Sequence, residues 1–210
     1  MPSDEQTFAS FLVDMIMPIA GRGPYRSDAL IELDVSYHGG AVHVSDLTSY
    51  ICCAANGVIQ PKSFVRFDPG EVRSMHAISF HATFPKGHED AGKRIELPHK
   101  MDGTFDQVYE RGLLAEVDLG DFRHIDGLRI HRAATFTVAP TDLSYWRFAV
   151  PTRGFQFNVR YPADLLRLTH VSFLSAPHLN IVDNRPGVVR LRYDAWAFPM
   201  NGIAWNYSLI

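Results

Sequence analysis

The sequence predicts a mostly β chain, α+β overall: an antiparallel β-sandwich or open barrel with two or three short helices packed on it. Three observations predict this. From Leu128 onward, short apolar–polar alternations recur at regular spacing between turn residues. Aromatic residues make up 12% of the 210 positions, and flat rings suit a pleated, half-buried surface. Helical spacing of apolar residues is confined to three short stretches before residue 128. The length, with an apolar fraction of 46%, suits one core that needs neither a disulfide nor a metal. A single domain over 1–210 is expected, with a mixed α+β portion at 1–127 and an all-β portion at 128–210 sharing that core.

The elements follow in order. Ser3 and Gln6 form a capping-box pattern ahead of Phe8, Phe11, Leu12, Met15 and Ile16, which recur as one helical face until Pro18 and Gly21. Leu30 to Tyr37 alternates as a strand, His38-Gly39-Gly40 supplies a turn, and Ala41 to Val44 reads as the return strand. Asp46 is placed to cap a second helix with the stripe Leu47, Tyr50, Ile51, Ala54 and Ala55, stopped at Asn56-Gly57. Phe64 to Phe67 is a short strand. Val72 to Phe84 is a long one, with His76, Ile78, Phe80 and Ala82 on one face. Pro85 to Gly103 reads as a long loop with a short strand at Ile95 to Leu97. Thr104 and Gln107 open a short helix that Gly112 stops, and Leu113 to Leu119 is a further strand. Beyond Leu128, Tyr145 to Val150, Phe155 to Tyr161, Leu168 to Leu174, Val188 to Trp196 and Ile203 to Leu209 complete the series, with Pro151-Thr152-Arg153-Gly154 as a turn.

Charge and composition narrow the function classes. A net charge of -3 is not the footprint of a non-specific nucleic-acid binder. The acidic N-terminus lacks the pattern of a signal peptide, and Phe11 to Ala20 is too short and too interrupted to span a bilayer, so a cytoplasmic protein without a membrane partner is expected. Cys52 and Cys53 are adjacent, a poor arrangement for a structural disulfide, and they lie in an apolar run that suits buried thiols.

Motifs that carry chemistry are few. Ten histidines are present, but the closest pairs, His38/His43 and His76/His81, are five apart, an odd step that separates their faces on a continuous strand. No HxH, HExxH, CxxC or GxSxG occurs, and Arg26 stands where the third glycine of a GxGxxG would fall. No metal and no cofactor is expected. A polar strand face is the next candidate: Gln156, Asn158 and Arg160 point one way, as do Arg190, Arg192 and Asp194. The face reads either as a binding patch, since arginine forks suit phosphate or carboxylate, or as a solvated outer face with cross-strand ion pairs. Trp196 and Trp205 flank a Pro-x-x-Gly turn, read either as a terminal hairpin closing the core or as a ring-stacking platform.

The stretch Phe136 to Val138, the run Pro151-Thr152-Arg153-Gly154-Phe155, Tyr161-Pro162 and the segment Trp196 to Trp205 together resemble the β-rich C-terminal sensor domain of some bacterial adenylyl/guanylyl cyclases and SMODS nucleotidyltransferases. The resemblance covers about Leu128 to Ile210 and implies a sensory or regulatory module in bacterial nucleotide second-messenger defence signalling. It transfers no catalytic residue.

The leading expectation is therefore a ligand-binding or sensory β module whose site uses Arg153, Asn158, Arg160, Arg190, Arg192, Trp196 and Trp205, with a small molecule or nucleotide as ligand. A small-molecule isomerase, cyclase or lyase is the competing class, with His76 as its pocket histidine. A deep apolar pocket holding two or more convergent titratable groups would set that class above the sensor reading. The third class is a homodimeric subunit docking through Phe8, Phe11, Leu12 and Met15.

Overall fold

The computed structural model describes residues 23–174, 179–199 and 201–210. The N-terminal stripe, with the helix and homodimer contact expected of it, lies outside the described residues. Among the described residues, fourteen strands form three sheets. They are β1 (Tyr25–His38), β2 (Ala41–Cys53), β3 (Lys62–Phe67), β4 (Ser74–Thr83), β5 (Arg94–Glu96), β6 (Lys100–Asp102), β7 (Leu113–Asp118), β8 (Leu128–Val138), β9 (Leu143–Arg147), β10 (Thr152–Arg160), β11 (Leu166–Phe173), β12 (Leu179–Arg185), β13 (Val188–Ala197) and β14 (Gly202–Leu209). One short helix, α1 (Val108–Arg111), precedes β7. The mostly-β class predicted from sequence is the class observed. No helix among the described residues is long and apolar enough to cross a membrane.

An eight-stranded sheet in the order β12-β13-β10-β1-β2-β8-β4-β5 is the frame. All its pairings are antiparallel except β1 with β10. Two three-stranded sheets, β11-β14-β9 and β3-β7-β6, cover one face of it. The contacts between layers are aromatic: Phe157 of β10 meets Trp205 of β14 at 5.1 Å between ring centres, and Phe67 of β3 meets Phe136 of β8 at 5.3 Å. Period-two alternation explains this core, because inward residues such as Ile31, Leu33, Ile130, Phe157 and Leu191 are buried while their neighbours face out.

Several expectations change. The helix expected from Asp46 is the second half of β2: Asp46, Thr48, Tyr50 and Cys52 point inward and Leu47 lies outside, 49% exposed. β-favouring Thr48, Tyr50 and Ile51 hold the strand, and the polar inner positions hid its alternation. Helical structure among the described residues reduces to α1 and two single turns, and Thr104 makes no side-chain cap bond. Pro151-Thr152-Arg153-Gly154 is not a free turn. β10 begins at Thr152 and carries a bulge between Arg153 and Phe155, where Gly154 has φ 73°. β12, an exposed edge strand, was not expected. Trp196 and Trp205 do not flank a hairpin, since β13 belongs to the large sheet and β14 to a small one.

Candidate functional site

The two small sheets do not meet over the large one without a gap. A cavity of about 430 Å³ lies between the layers. Its floor comes from Arg26 and Leu33 of β1, Asp46, Thr48 and Tyr50 of β2, and Arg132 and Phe136 of β8. β3 forms one wall, and β9 with the following Phe148 forms another.

The floor carries charge where a sheet interior normally carries carbon. Arg132 stands opposite Thr48 in the β2–β8 register. Its Nη2 donates to the Asp46 carboxylate and, at 2.9 Å, to the Thr48 hydroxyl. Both partners of this ion pair are more than nine-tenths buried. Arg26 reaches the same floor because of a bulge. The β1–β2 register slips between Ser27 and Leu30, with Asp28 at φ 49°, so Arg26 shares the inner face with Ala29 and Ile31. Arg26 Nε donates to Gln60 Oε1 at 3.2 Å, and its guanidinium lies 4.0 Å from the centre of the Tyr50 ring. It is 4% exposed and forms no ion pair among the described residues. Among the described residues, four buried side-chain N–H donors have no acceptor: Arg26 Nη2, Arg132 Nε, Gln60 Nε2 and Trp146 Nε1. The residues bearing three of them line the cavity. Buried donors are nearly always paired, so these unpaired ones call for acceptors.

The other end of the cavity holds acids. Tyr145 donates its hydroxyl proton to Asp68, which also pairs with Arg66 at 2.9 Å and Arg147 at 3.1 Å. These hydrogen bonds, Tyr145 first, hold the Asp68 carboxyl below its ordinary range. Burial, then the bond to Asp68, pushes Tyr145 up to about 12. Glu71 accepts the Asp68 backbone N–H at 3.0 Å, and burial pushes its carboxyl up to about 7.

The residues expected from sequence fall in three places. Asn158, Arg160, Arg190 and Arg192 do come together, around a shallow groove of about 200 Å³ on the outer face of the large sheet. Arg160 is already engaged by Asp34 through two bonds of 2.6 and 2.9 Å, and Arg192 by Asp194 at 2.7 Å. Arg153 and Trp196 pair at the far end of the β10–β13 ladder, where Trp196 packs edge-on against Tyr25. Trp205 is 5% exposed and lines the interior cavity, donating its N–H to Tyr207. It is neither an exposed platform nor part of the arginine face.

His76 is not the buried histidine expected. The β4–β8 register shifts between Met75 and Ala77, so Met75 joins Ile78, Phe80 and Ala82 inside while His76 is exposed. His38 and His43 do not diverge either. The Gly39-Gly40 turn folds one strand back on the other, and the two rings stack with centres 3.6 Å apart. No group of three or more potential metal ligands converges among the described residues. Cys52 is buried and its thiol is pushed up to about 12, as an inert core cysteine requires.

The interior site was missed by sequence reasoning, though one signal was present. Arg132 interrupts the inward series Leu128, Ile130, Ala134, Phe136 and Val138. A charged residue at a core position is informative because such residues are seldom fully buried unless paired.

No family model matches the sequence, and no curated protein matches it. Among solved structures, native leukotriene A4 hydrolase from Saccharomyces cerevisiae is similar over 88% of this chain, at 9% identity and a TM-score of 0.43. The chain spans 29% of that protein's length. A likeness of this degree carries no argument about function.

Proposed function

We propose that the chain is a ligand-binding module that holds a small anionic molecule in the cavity between its sheets. The observation that carries this is Arg26, a buried guanidinium without a carboxylate partner among the described residues. Leaving an ion buried and uncompensated costs several kcal/mol, so the positive charge of Arg26 calls for a counter-charge. The unpaired N–H groups of Arg132 and Trp146, residues that line the same cavity, call for acceptors as well. A sensory or regulatory role, in the cytoplasm, is the use such a module fits, and the two free thiols suit a reducing compartment. Nucleotides belong among the ligands to be tried, for the cavity and for the outer arginine groove.

The test is a thermal-shift screen of carboxylates, phosphates and nucleotides on the full chain. A binding anion stabilises by about 2.7 kcal/mol at a hundred times its Kd, and Arg26→Met abolishes that gain. If no anion gives an Arg26-dependent shift, the proposal is overturned.

Catalysis is the second reading, favoured by the convergence of Asp68, Tyr145 and Glu71 at one end of a partly apolar cavity, the kind of pocket that favours an enzyme, and by Glu71 in particular. A carboxyl with a pKa of about 7 facing a cavity is suited to general acid–base work. Binding leads because Asp68, Tyr145 and Glu71 already satisfy one another or the backbone, whereas the unpaired groups are all donors.

A further inference from the structure

Resting on the proposed binding role of the cavity, we infer that its ligand is a monocarboxylate with an aromatic or branched apolar body, rather than a phosphorylated molecule. Three features of the cavity argue for it.

The first is charge. At the floor stand two guanidinium groups, Arg26 and Arg132, and one carboxylate, Asp46. Asp46 is committed to Arg132. One positive charge, on Arg26, is left over, and a carboxylate supplies one negative charge. A phosphate monoester carries roughly -1.5 to -2 at neutral pH. Its surplus charge would be desolvated beside Asp46, at a buried floor where Arg26 is the guanidinium left without an ion pair among the described residues. The other two cations of the cavity, Arg66 and Arg147, lie at its more exposed end and are engaged by Asp68.

The second is hydrogen bonding. Arg26 Nη2, Arg132 Nε and Trp146 Nε1 are all donors, all buried and all unpaired. An ionised carboxyl accepts only, with about four lone-pair sites on two oxygens. An amide or an alcohol would bring donors to a place that has donors already.

The third is the walls. Leu33, Val65, Phe67, Phe136, Phe148 and Trp205 line the cavity with carbon and ring faces. They take an apolar body, as small-molecule pockets of this size do. A bare inorganic anion would leave that surface uncovered.

The experiment is calorimetric titration of the full chain with benzoate, phenylacetate and indole-3-acetate, set against phenyl phosphate, inorganic phosphate and benzamide. The aromatic acids are expected to bind at least ten-fold more tightly than benzamide and phenyl phosphate. Arg26→Met is expected to remove that binding. Trp146→Phe keeps an aromatic ring of smaller size, loses one unpaired N–H, and is expected to weaken acid binding several-fold while leaving benzamide binding unchanged. It stands in as the test if Arg26→Met does not fold. If phenyl phosphate binds more tightly than the acids, and does so through Arg26 or Trp146, the ligand class is wrong while the anion-binding cavity stands. If no acid or phosphate binds in a way that either substitution alters, both fall.

Discussion

At the scale of single residues, the interior is unusual for the polar groups it keeps. The Arg132–Asp46 pair is paired and hydrogen-bonded, as a buried ion pair must be. Glu71 is a buried carboxyl whose protonation the fold moves into the neutral pH range. Burial raises its carboxyl from the ordinary 4.5 to about 7. The folded chain therefore holds a proton on Glu71 between these values that the unfolded chain has released. Stability falls as pH rises across that window, and the full penalty applies above pH 7, on the order of 3 kcal/mol for this group. Glu71→Gln keeps the shape and removes the ionisation. It is expected to flatten this part of the pH dependence and to make the protein more stable than the parent at pH 8, read by urea denaturation at pH 5, 7 and 8.

At the scale of elements, bulges and tight junctions decide which side chains reach the interior. Legibility in the sequence follows from them. Strands with carbon inside and polar groups outside, such as β10 and β13, and β8 but for Arg132, could be read by counting in twos. β2 could not, because Asp46 and Thr48 face inward. β12 could not, because as an exposed edge it has no buried face to alternate with. Counting in twos from Ile31 also puts Arg26 outside, and only the slip at Asp28 brings it in. The arginine face of β10 and β13 was legible, whereas the interior site was hidden by one bulge and one inverted strand. Gly112, between α1 and β7, shows how tight such junctions are. It has φ 74°, and a Cβ there would lie 2.5 Å from the Phe67 carbonyl oxygen. Gly112→Ala is expected to destabilise by about 2 to 3 kcal/mol, measured as a lowered denaturation midpoint with an unchanged slope. Gly39→Ala, with φ 61° and open space around it, is expected to cost only about 1 kcal/mol.

At the scale of the whole molecule, two layers are clamped by large rings at either side of the cavity. Phe157 is fully buried beneath Trp205, so Phe157→Ala is expected to cost about 3 to 5 kcal/mol. Anion-induced stabilisation should weaken with it, because the wall that Trp205 supplies loses its support; the same thermal-shift assay reads both. The parallel pairing of β1 with β10 has a consequence in time as well as space. Ile31 sits beside Phe157 in that ladder, and the intervening stretch of chain includes every strand from β2 to β9. A ribosome making this chain delivers β1, β2, β4 and β8 well before the neighbour that β1 needs. During that interval β1 is an open sheet edge with an apolar inner face, the kind of surface that joins another nascent copy. Such late, long-range closure also makes for slow folding, and a chaperone that shields the β1 edge until residue 160 has emerged would raise the yield of folded protein.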